Sequence, residues 1–232
     1  MSYSKKTAKI KLLILCCVLF SPLSYGNNPD LPGSYDFVKS QYELGGIGLI
    51  ATPTARFSND GELTFGISSG SPFNRLYAKM QFFPWMEAVV RYTEGRNRDY
   101  LSGSTQTWKD KGLDVKFRLL EEGEFFPELA LGMTDLGGTG EFSGEYVVAS
   151  KRFKNIDLSL GLGWGRLGGV DHISTPGLIS NILSNVDQSF GDNVSFGGGL
   201  RLGNFFTDKS ISIFGGIEYF TPIPNFSVKL EY

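Results

Sequence analysis

The stretch Gly112–Leu120 reads GLDVKFRLL, with apolar and charged side chains in alternation. Successive side chains of a β-strand point to opposite faces of the sheet, so this spacing predicts a strand with one apolar and one charged face. The apolar face would carry Leu113, Val115, Phe117 and Leu119, and the charged face Asp114, Lys116 and Arg118.

Segments of this kind follow one another from Glu62 onward and are separated by clusters of Gly, Asn, Asp, Pro and Ser. Helical periodicity is almost absent. Together with two less regular segments near 76–83 and 146–153, they predict an all-β antiparallel meander of about ten strands. The clearest segments are Leu63–Ile67, Ala88–Tyr92, Leu129–Met133, Ile156–Trp164, Val194–Leu202, Ile211–Tyr219 and Phe226–Tyr232.

Glycine distinguishes between two architectures for such a meander. The chain has 30 glycines among 232 residues, or about 13%, against a usual share of roughly 7%. Several of them, including Gly161, Gly163 and Gly197, stand on the face opposite the apolar side chains. A β-sandwich would expose a dense polar face, whereas a membrane barrel turns bulky apolar residues toward lipid. The pattern therefore favours an outer-membrane β-barrel, complete or incomplete, over a β-sandwich.

The first residues resemble a targeting segment. A basic start with four lysines precedes the apolar run Leu12–Phe20, and small residues at Ser24 and Gly26 suit cleavage. We predict a signal peptide over 1–26, a periplasmic segment over 27–47 and a barrel region over 48–232, which places the protein in the outer membrane. Attachment of a lipid at Cys16 or Cys17 is the less favoured alternative, because neither cysteine follows a small residue.

Composition excludes several classes of protein. No apolar run approaches the roughly 20 residues of a membrane-spanning helix. Cleavage after residue 26 would remove both cysteines, and with them any disulfide or cysteine-zinc site. It would also remove four lysines, so the excess of acidic over basic residues grows from 2 to 6. An acidic chain is a poor partner for nucleic acid.

The connections between predicted strands alternate in length. One series contains Ser68–Asn74, Thr93–Lys111, Asp135–Gly144, Leu167–Asn193 and Thr221–Asn225, and the other Phe83–Trp85, Glu121–Pro127, Lys154–Asn155 and Asn204–Ser210. Long loops on one side are typical of outer-membrane barrels, and aromatic residues near strand ends suit an interfacial belt. These aromatic residues are Phe82, Phe83, Trp85, Phe125, Phe126, Phe205 and Phe206. Gly48–Phe57 disturbs the alternation, either as a partial strand or as a segment that enters the barrel.

Two short motifs match enzyme signatures. Gly46–Ala51 has the spacing of a dinucleotide-binding loop, but Thr52-Pro53 prevents the helix that would hold a pyrophosphate. Gly66–Gly70 has the spacing of a hydrolase nucleophile elbow around Ser68, which would need His172, the only histidine. We expect no catalytic residue, metal or cofactor. A barrel hydrolase acting on lipid or glycan through Ser68 and His172 is the enzymatic alternative.

The candidate binding residues are the charges predicted to face the barrel interior. Opposed charges on a barrel wall often pair with one another, which is the interpretation we favour, and a polar track for a hydroxyl-rich or anionic polymer is the alternative. The five residues are Glu87, Arg91, Asp114, Lys116 and Arg118.

Several longer motifs together resemble one family. They are Gly46–Arg56, Phe83–Glu87, Arg91–Thr93, Asp135–Gly140, Glu145–Lys151, Gly161–Gly165 and Phe214–Tyr219. In this order the chain is similar to the YjbH/GfcD group of outer-membrane proteins associated with exopolysaccharide and capsule. Members of that group are longer, so the chain resembles their N-terminal portion.

The resemblance implies a non-enzymatic outer-membrane barrel that assists secretion or assembly of an extracellular polysaccharide. Its expected partners are outer-membrane lipid, a polysaccharide and other proteins of the export machinery. A general porin and a secreted β-sandwich binding module are the remaining alternatives.

Overall fold

The computed structural model describes residues 39–100, 103, 105–168, 173–174, 199–200 and 210–232. A short 3-10 helix, Gly165–Gly168, is the only helix in these ranges, and none of the described helical structure is long and apolar enough to span a membrane. The strands are β1 (Leu63–Gly70), β2 (Phe73–Phe83), β3 (Met86–Asp99), β4 (Thr107–Leu120), β5 (Glu128–Thr134), β6 (Gly137–Gly138), β7 (Gly144–Phe153), β8 (Ile156–Gly163), β9 (Ile173–Ser174), β10 (Gly199–Leu200), β11 (Ser210–Phe220) and β12 (Ser227–Glu231).

Nine of these strands form one antiparallel path, β1-β2-β3-β4-β5-β7-β8-β11-β12. The short β9 pairs with the start of β11, and β10 pairs with β6 in a separate two-stranded sheet. The predicted all-β meander is confirmed. Within the described residues β1 and β12 are edges that do not pair with each other, so closure into a barrel is not confirmed.

One predicted strand does not have its predicted place. β8 pairs directly with Ser212–Tyr219 of β11, so Val194–Leu202 does not lie between them. Of that range the structure describes only Gly199–Leu200, which is β10 and pairs with β6.

Because β8 pairs directly with β11, the connection that follows β11 lies at the opposite end of the sheet from the one predicted. One end of the sheet, the loop end, has the connections 71–72, 100–106, 135–143 and 164–209, and the opposite turn end has 84–85, 121–127, 154–155 and 221–226. The predicted placement of Thr221–Asn225 with the long loops is therefore wrong. The predicted loop Thr93–Lys111 is shorter than expected, because β3 continues to Asp99 and β4 begins at Thr107. The two longest connections still share one end.

The two faces of the sheet have inverted polarity. The outer face exposes large apolar side chains, including Leu63, Phe65, Ile67, Leu76, Val90, Leu160, Leu162, Ile217, Val228 and Leu230. The inner face buries charged and polar ones, including Arg75, Lys79, Gln81, Glu87, Arg91, Asp110, Asp114, Lys116, Glu128 and Asp157. A sheet that folds in water buries its apolar face instead.

Glycines on the inner face make room for large side chains on the neighbouring strand. Gly66, Gly112, Gly132 and Gly161 stand directly opposite Tyr77, Arg91, Tyr146 and Phe214, respectively. A Cβ atom at Gly132 would lie 2.1 Å from Cζ of the Tyr146 ring, far inside van der Waals contact. The large side chains opposite these glycines therefore fill the space at the inner face.

Gly132→Ala should lower the free energy of unfolding by about 1–3 kcal/mol, because the added methyl group overlaps the buried Tyr146 ring. Gly70→Ala is the matched control, since a Cβ atom there meets nothing within 4 Å. The control should stay within about 0.5 kcal/mol of the wild type. Urea unfolding followed by tryptophan fluorescence measures both variants, and equal stability would contradict this packing.

Candidate functional site: a charged inner face crossed by an N-terminal segment

Residues 40–57, here called the inner segment, lie across the inner face of the sheet. They form no strand of the sheet, and only two isolated bridges, Gln41 with Ile47 and Gly48 with Pro53, shape them locally. The apolar side chains of this segment that become buried are Tyr42, Leu44, Ile47, Leu49, Ala55 and Phe57. Of the two interpretations of Gly48–Phe57, the structure thus agrees with a segment that enters the interior.

The inner segment contacts one strand at or next to each edge of the sheet. Ser40 is hydrogen-bonded to Lys229 of β12, and the adjacent Gln41 accepts a hydrogen bond of 3.1 Å from the Tyr77 hydroxyl of β2. In a flat sheet, seven strand spacings of about 4.8 Å would separate β2 from β12 by about 34 Å. Two adjacent residues and the side chains they contact cannot bridge that distance. The sheet must therefore curve around the inner segment.

One carboxylate fastens the inner segment to the edge strand β12. Glu231 accepts hydrogen bonds from the backbone N–H groups of Ile50, Ala51 and Thr52, at 2.9–3.2 Å, and from the Thr52 hydroxyl at 3.0 Å. Several N–H groups converging on one carboxylate form an anion-binding turn. This contact joins residues about 180 positions apart in the chain.

A second charged cluster holds the end of the inner segment at the turn end. Arg56 lies 2.5 Å from Glu122, 2.9 Å from Glu128 and 2.7 Å from Asp157. Burial alone would lower the pKa of Arg56, but the hydrogen bond and charge of Asp157 and the charges of Glu122 and Glu128 outweigh it and raise that pKa. Arg56 therefore stays charged while it holds the carboxylates of Glu128 in β5, Asp157 in β8 and Glu122 in the connection between β4 and β5.

The structure brings four of the five predicted site residues together in two buried pairs. Lys116 lies 3.1 Å from Glu87, and Arg91 is paired with Asp114. The fifth, Arg118, lies toward the turn end, where it contacts Glu128 at 2.8 Å and Glu121 at 3.2 Å. The geometry thus agrees with the mutual pairing that we favoured.

These pairs also hold the inner segment. The Lys116 ammonium donates to the backbone carbonyl of Arg56 at 2.7 Å, and the Glu87 carboxylate accepts from the N–H group of Ile47 at 3.3 Å. A polymer in contact with Glu87 or Lys116 would have to displace this segment first.

An acidic cluster lies at the loop end, beside the connection after β5. Asp135 donates its N–H group to Asp114 at 2.7 Å and accepts from the N–H group of Phe142 at 3.0 Å. Burial raises the pKa of Asp135 to about 6; the hydrogen bond from Phe142 and the charge of Arg91 oppose this shift, whereas Asp110 and Asp114 add to it. Asp135 is thus a carboxyl group that titrates above its ordinary range.

We expect the stability of the fold to decrease as the pH rises from about 4 to 6. Over this range Asp135 is ionised in the unfolded chain but still binds its proton in the folded one, so raising the pH favours unfolding. Asp135→Asn should reduce this slope, and asparagine tolerates the positive φ of 57° at this position. Thermal unfolding midpoints at pH 4, 5, 6 and 7 test this, and an unchanged slope in the variant would assign the titration to another group.

Sequence reasoning missed the partners that arrive from the inner segment and from the less regular strands. Arg75 and Lys79 of β2 alternate with outward Leu76 and Ala78, but the intervening inward Tyr77 obscured that period. The missed charged residues of the inner face and its contacts are Glu43, Arg56, Arg75, Lys79, Asp110, Glu128, Asp135, Glu218, Lys229 and Glu231.

The structure places the two enzyme-like motifs in settings different from those their signatures require. Gly66–Gly70 lies within β1, so Ser68 is on a strand rather than on a strand-to-helix turn. Gly46–Ala51 belongs to the inner segment, which is neither strand nor helix. His172, like Cys16 and Cys17, lies outside the described residues. Among the described residues, no three His, Cys, Asp or Glu side chains are grouped so that they could bind a metal.

Comparisons with known proteins give a family and a curated relative that the chain matches. Residues 40–232 match the family YjbH, described as "Exopolysaccharide biosynthesis protein YbjH". The chain is 39% identical over 230 residues to a protein of Escherichia coli (strain K12) named "Uncharacterized lipoprotein YjbH". The match covers 97% of this chain and 32% of the relative, so the chain spans about a third of the relative's length. No solved structure matches the chain.

Proposed function

Because the chain belongs to the YjbH family of exopolysaccharide biosynthesis proteins, we propose that it forms the wall of a non-enzymatic outer-membrane β-barrel. In this role it assists the secretion or assembly of an exopolysaccharide or capsule. The whole barrel includes strands beyond the nine of the described sheet.

The inverted polarity of the sheet carries this proposal. Phe65, Ile67 and Leu230 expose 71%, 78% and 71% of their surface on the outer face, while Lys79 and Glu87 are almost fully buried on the inner one. A contiguous apolar surface of this extent is costly in water but favourable against lipid. Charges can be buried on the inner face because they are paired there, as Lys116 is with Glu87 and Arg91 with Asp114.

The two ends of the sheet support an orientation in the membrane. The turn end exposes the aromatic side chains of Phe83, Trp85, Phe125, Phe126 and Phe226, as expected of a belt at the lipid–water interface. Phe205 and Phe206, also expected in such a belt, lie outside the described residues. Outer-membrane barrels have short turns on the periplasmic side, so the turn end would face the periplasm and the loop end the cell exterior.

The relative's name bears on how the chain is anchored. That protein is called a lipoprotein, which supports lipid attachment at Cys16 or Cys17, the alternative to cleavage after residue 26. Metabolic labelling with palmitate decides between the two proposals. Loss of the label in Cys16→Ser or Cys17→Ser, but not in the other variant, would identify the lipidated cysteine, and absence of label in the wild type would favour a cleaved signal peptide.

Fluorophore quenching in lipid vesicles tests the membrane proposal. Single-cysteine variants L160C and I217C place a bimane fluorophore on the outer face, and S69C places one at the exposed loop end. In vesicles whose acyl chains carry bromine, the first two should be quenched and S69C should not. Full labelling of L160C and I217C by a water-soluble reagent, without quenching, would contradict the proposal.

The role in polymer secretion needs a separate measurement. Deleting the gene should lower the extracellular polysaccharide of the host, and the wild-type gene should restore it. Ser68→Ala with His172→Ala should restore it equally well. Failure of this double variant, with its membrane level unchanged, would favour the hydrolase alternative.

A further inference from the structure

Two arginines at the loop end converge on one carboxylate of the inner segment. Arg75 of β2 lies 3.4 Å from Glu43, and Arg166 of the 3-10 helix lies 3.3 Å from the other oxygen of the same carboxylate. Ion pairs between guanidinium and carboxylate groups usually measure about 2.7–2.9 Å. Glu43 is therefore held loosely by both arginines.

The buried Arg75 guanidinium has more N–H donors than it has hydrogen-bond acceptors. Arg75 is 2% exposed, and its Nε and Nη2 atoms are buried without a hydrogen-bond partner. Buried guanidinium groups normally satisfy most of their five N–H donors. Because Glu43 and Arg166 each keep about a third of their side chain exposed, solvent reaches this site from the side of Glu43.

Aromatic rings line the same site. The Arg75 guanidinium lies 4.9 Å from the centre of the Phe73 ring and 5.4 Å from that of Phe142, and the Arg166 guanidinium lies 4.5 Å from that of Phe142. Phe73 and Phe142 meet edge to face at 5.3 Å. Apolar ring surfaces beside guanidinium groups suit a ligand that has both C–H faces and a carboxylate.

The local charge also favours an anion. Arg75 and Arg166 share the single carboxylate of Glu43, whereas the neighbouring Arg91 is already paired with Asp114. Glu141, the acidic residue next in the chain to Phe142, is paired with Arg98 at 3.1 Å. The two guanidinium groups are thus balanced by one carboxylate charge within ion-pair distance.

We infer that Glu43 occupies the place of a ligand carboxylate, and that an acidic saccharide unit of an extracellular polymer competes with it for Arg75 and Arg166. This inference rests on the proposed function. The incoming carboxylate forms the paired hydrogen bonds that Glu43 lacks, and the half-buried Phe73 contacts the sugar ring. Because Glu43 belongs to the inner segment, its displacement frees that segment at the loop end.

Binding by the purified full chain in detergent tests the inference. The probe is a trimer of galacturonate, compared with a neutral trimer of galactose and with acetate, by isothermal titration calorimetry. Wild type should bind the acidic trimer, and Glu43→Gln should bind it at least tenfold more tightly because the competing carboxylate is gone. Arg75→Lys and Arg166→Gln should each weaken binding at least tenfold. Glu141→Gln, the matched control, should bind like the wild type.

Three outcomes would overturn the inference. They are no gain in affinity for Glu43→Gln, no loss for the exposed Arg166→Gln, or equal affinity for acetate and the acidic trimer, which would indicate a site for any small anion. Far-ultraviolet circular dichroism checks that each variant is folded. The titration does not depend on membrane insertion or polymer output, so its failure would leave the proposed function standing, and a failed quenching experiment would leave a measured affinity intact.

Discussion

Arg56→Met should destabilise the protein by about 1.5–3 kcal/mol, as expected when buried hydrogen bonds to charged groups are lost. The substitution removes the cation shared by Glu122, Glu128 and Asp157, which retain Lys151, Arg118 and Arg152, respectively, as charged partners. Only 12% of the Arg56 side chain is exposed, so water does not replace the lost donors. Urea unfolding of the protein in detergent micelles measures the effect.

Arg56→Lys is the control for this variant. Lysine keeps the positive charge but cannot reproduce the forked contact of Nε and Nη2 with Asp157, at 2.9 and 2.7 Å. Its stability should lie between those of the wild type and Arg56→Met. A methionine variant within about 0.5 kcal/mol of the wild type would show that this cluster does not hold the inner segment.

Lys116→Met should cost more, about 3–5 kcal/mol. Lys116 and Glu87 are both almost completely buried, and Glu87 Oε2 already lacks a hydrogen-bond partner. Removing the ammonium group therefore leaves a buried, unpaired carboxylate. The carbonyls of Ile47, Thr54 and Arg56, which accept from Lys116 at 2.7–3.5 Å, lose their donor as well.

The double variant Lys116→Met with Glu87→Gln separates the cost of the unpaired Glu87 carboxylate from the cost of the hydrogen bonds lost to the inner segment. It removes both charges, so we expect it to recover most of the stability lost in Lys116→Met. The glutamine can still accept from the N–H group of Ile47, as Glu87 does at 3.3 Å. A double variant as unstable as the single one would place the cost in the inner segment rather than in the unpaired carboxylate.

Alternation along the chain was sufficient to predict the faces of the regular strands, though not those of the less regular segments near 76–83 and 146–153. In β8, Leu160 and Leu162 are exposed on the outer face and Asp157 is buried on the inner one, as the sequence predicted. Trp164, predicted on the apolar face, is instead buried, because β8 ends at Gly163 and the chain turns into the 3-10 helix. Alternation therefore predicted the face of a side chain only for residues within the strand itself.

The inner segment could not be predicted in the same way. Its contacts join Thr52 to Glu231 and Arg56 to Asp157, which are 179 and 101 residues apart. A periodic pattern within one strand cannot predict contacts between residues so far apart in the chain. Glycines opposite large side chains raise the same difficulty, because the partner of Gly132 is set by strand pairing with Tyr146. The register of the whole sheet is needed before either feature can be seen.

The path of nine strands has a geometric consequence for how the sheet can be completed. Eight successive antiparallel pairings separate β1 from β12, so these two edges run in the same direction. Joining them directly would require a parallel seam in an otherwise antiparallel wall. A cylinder with only antiparallel neighbours needs an odd number of added strands, the first opposed to β12 and the last opposed to β1, whichever polypeptide supplies them.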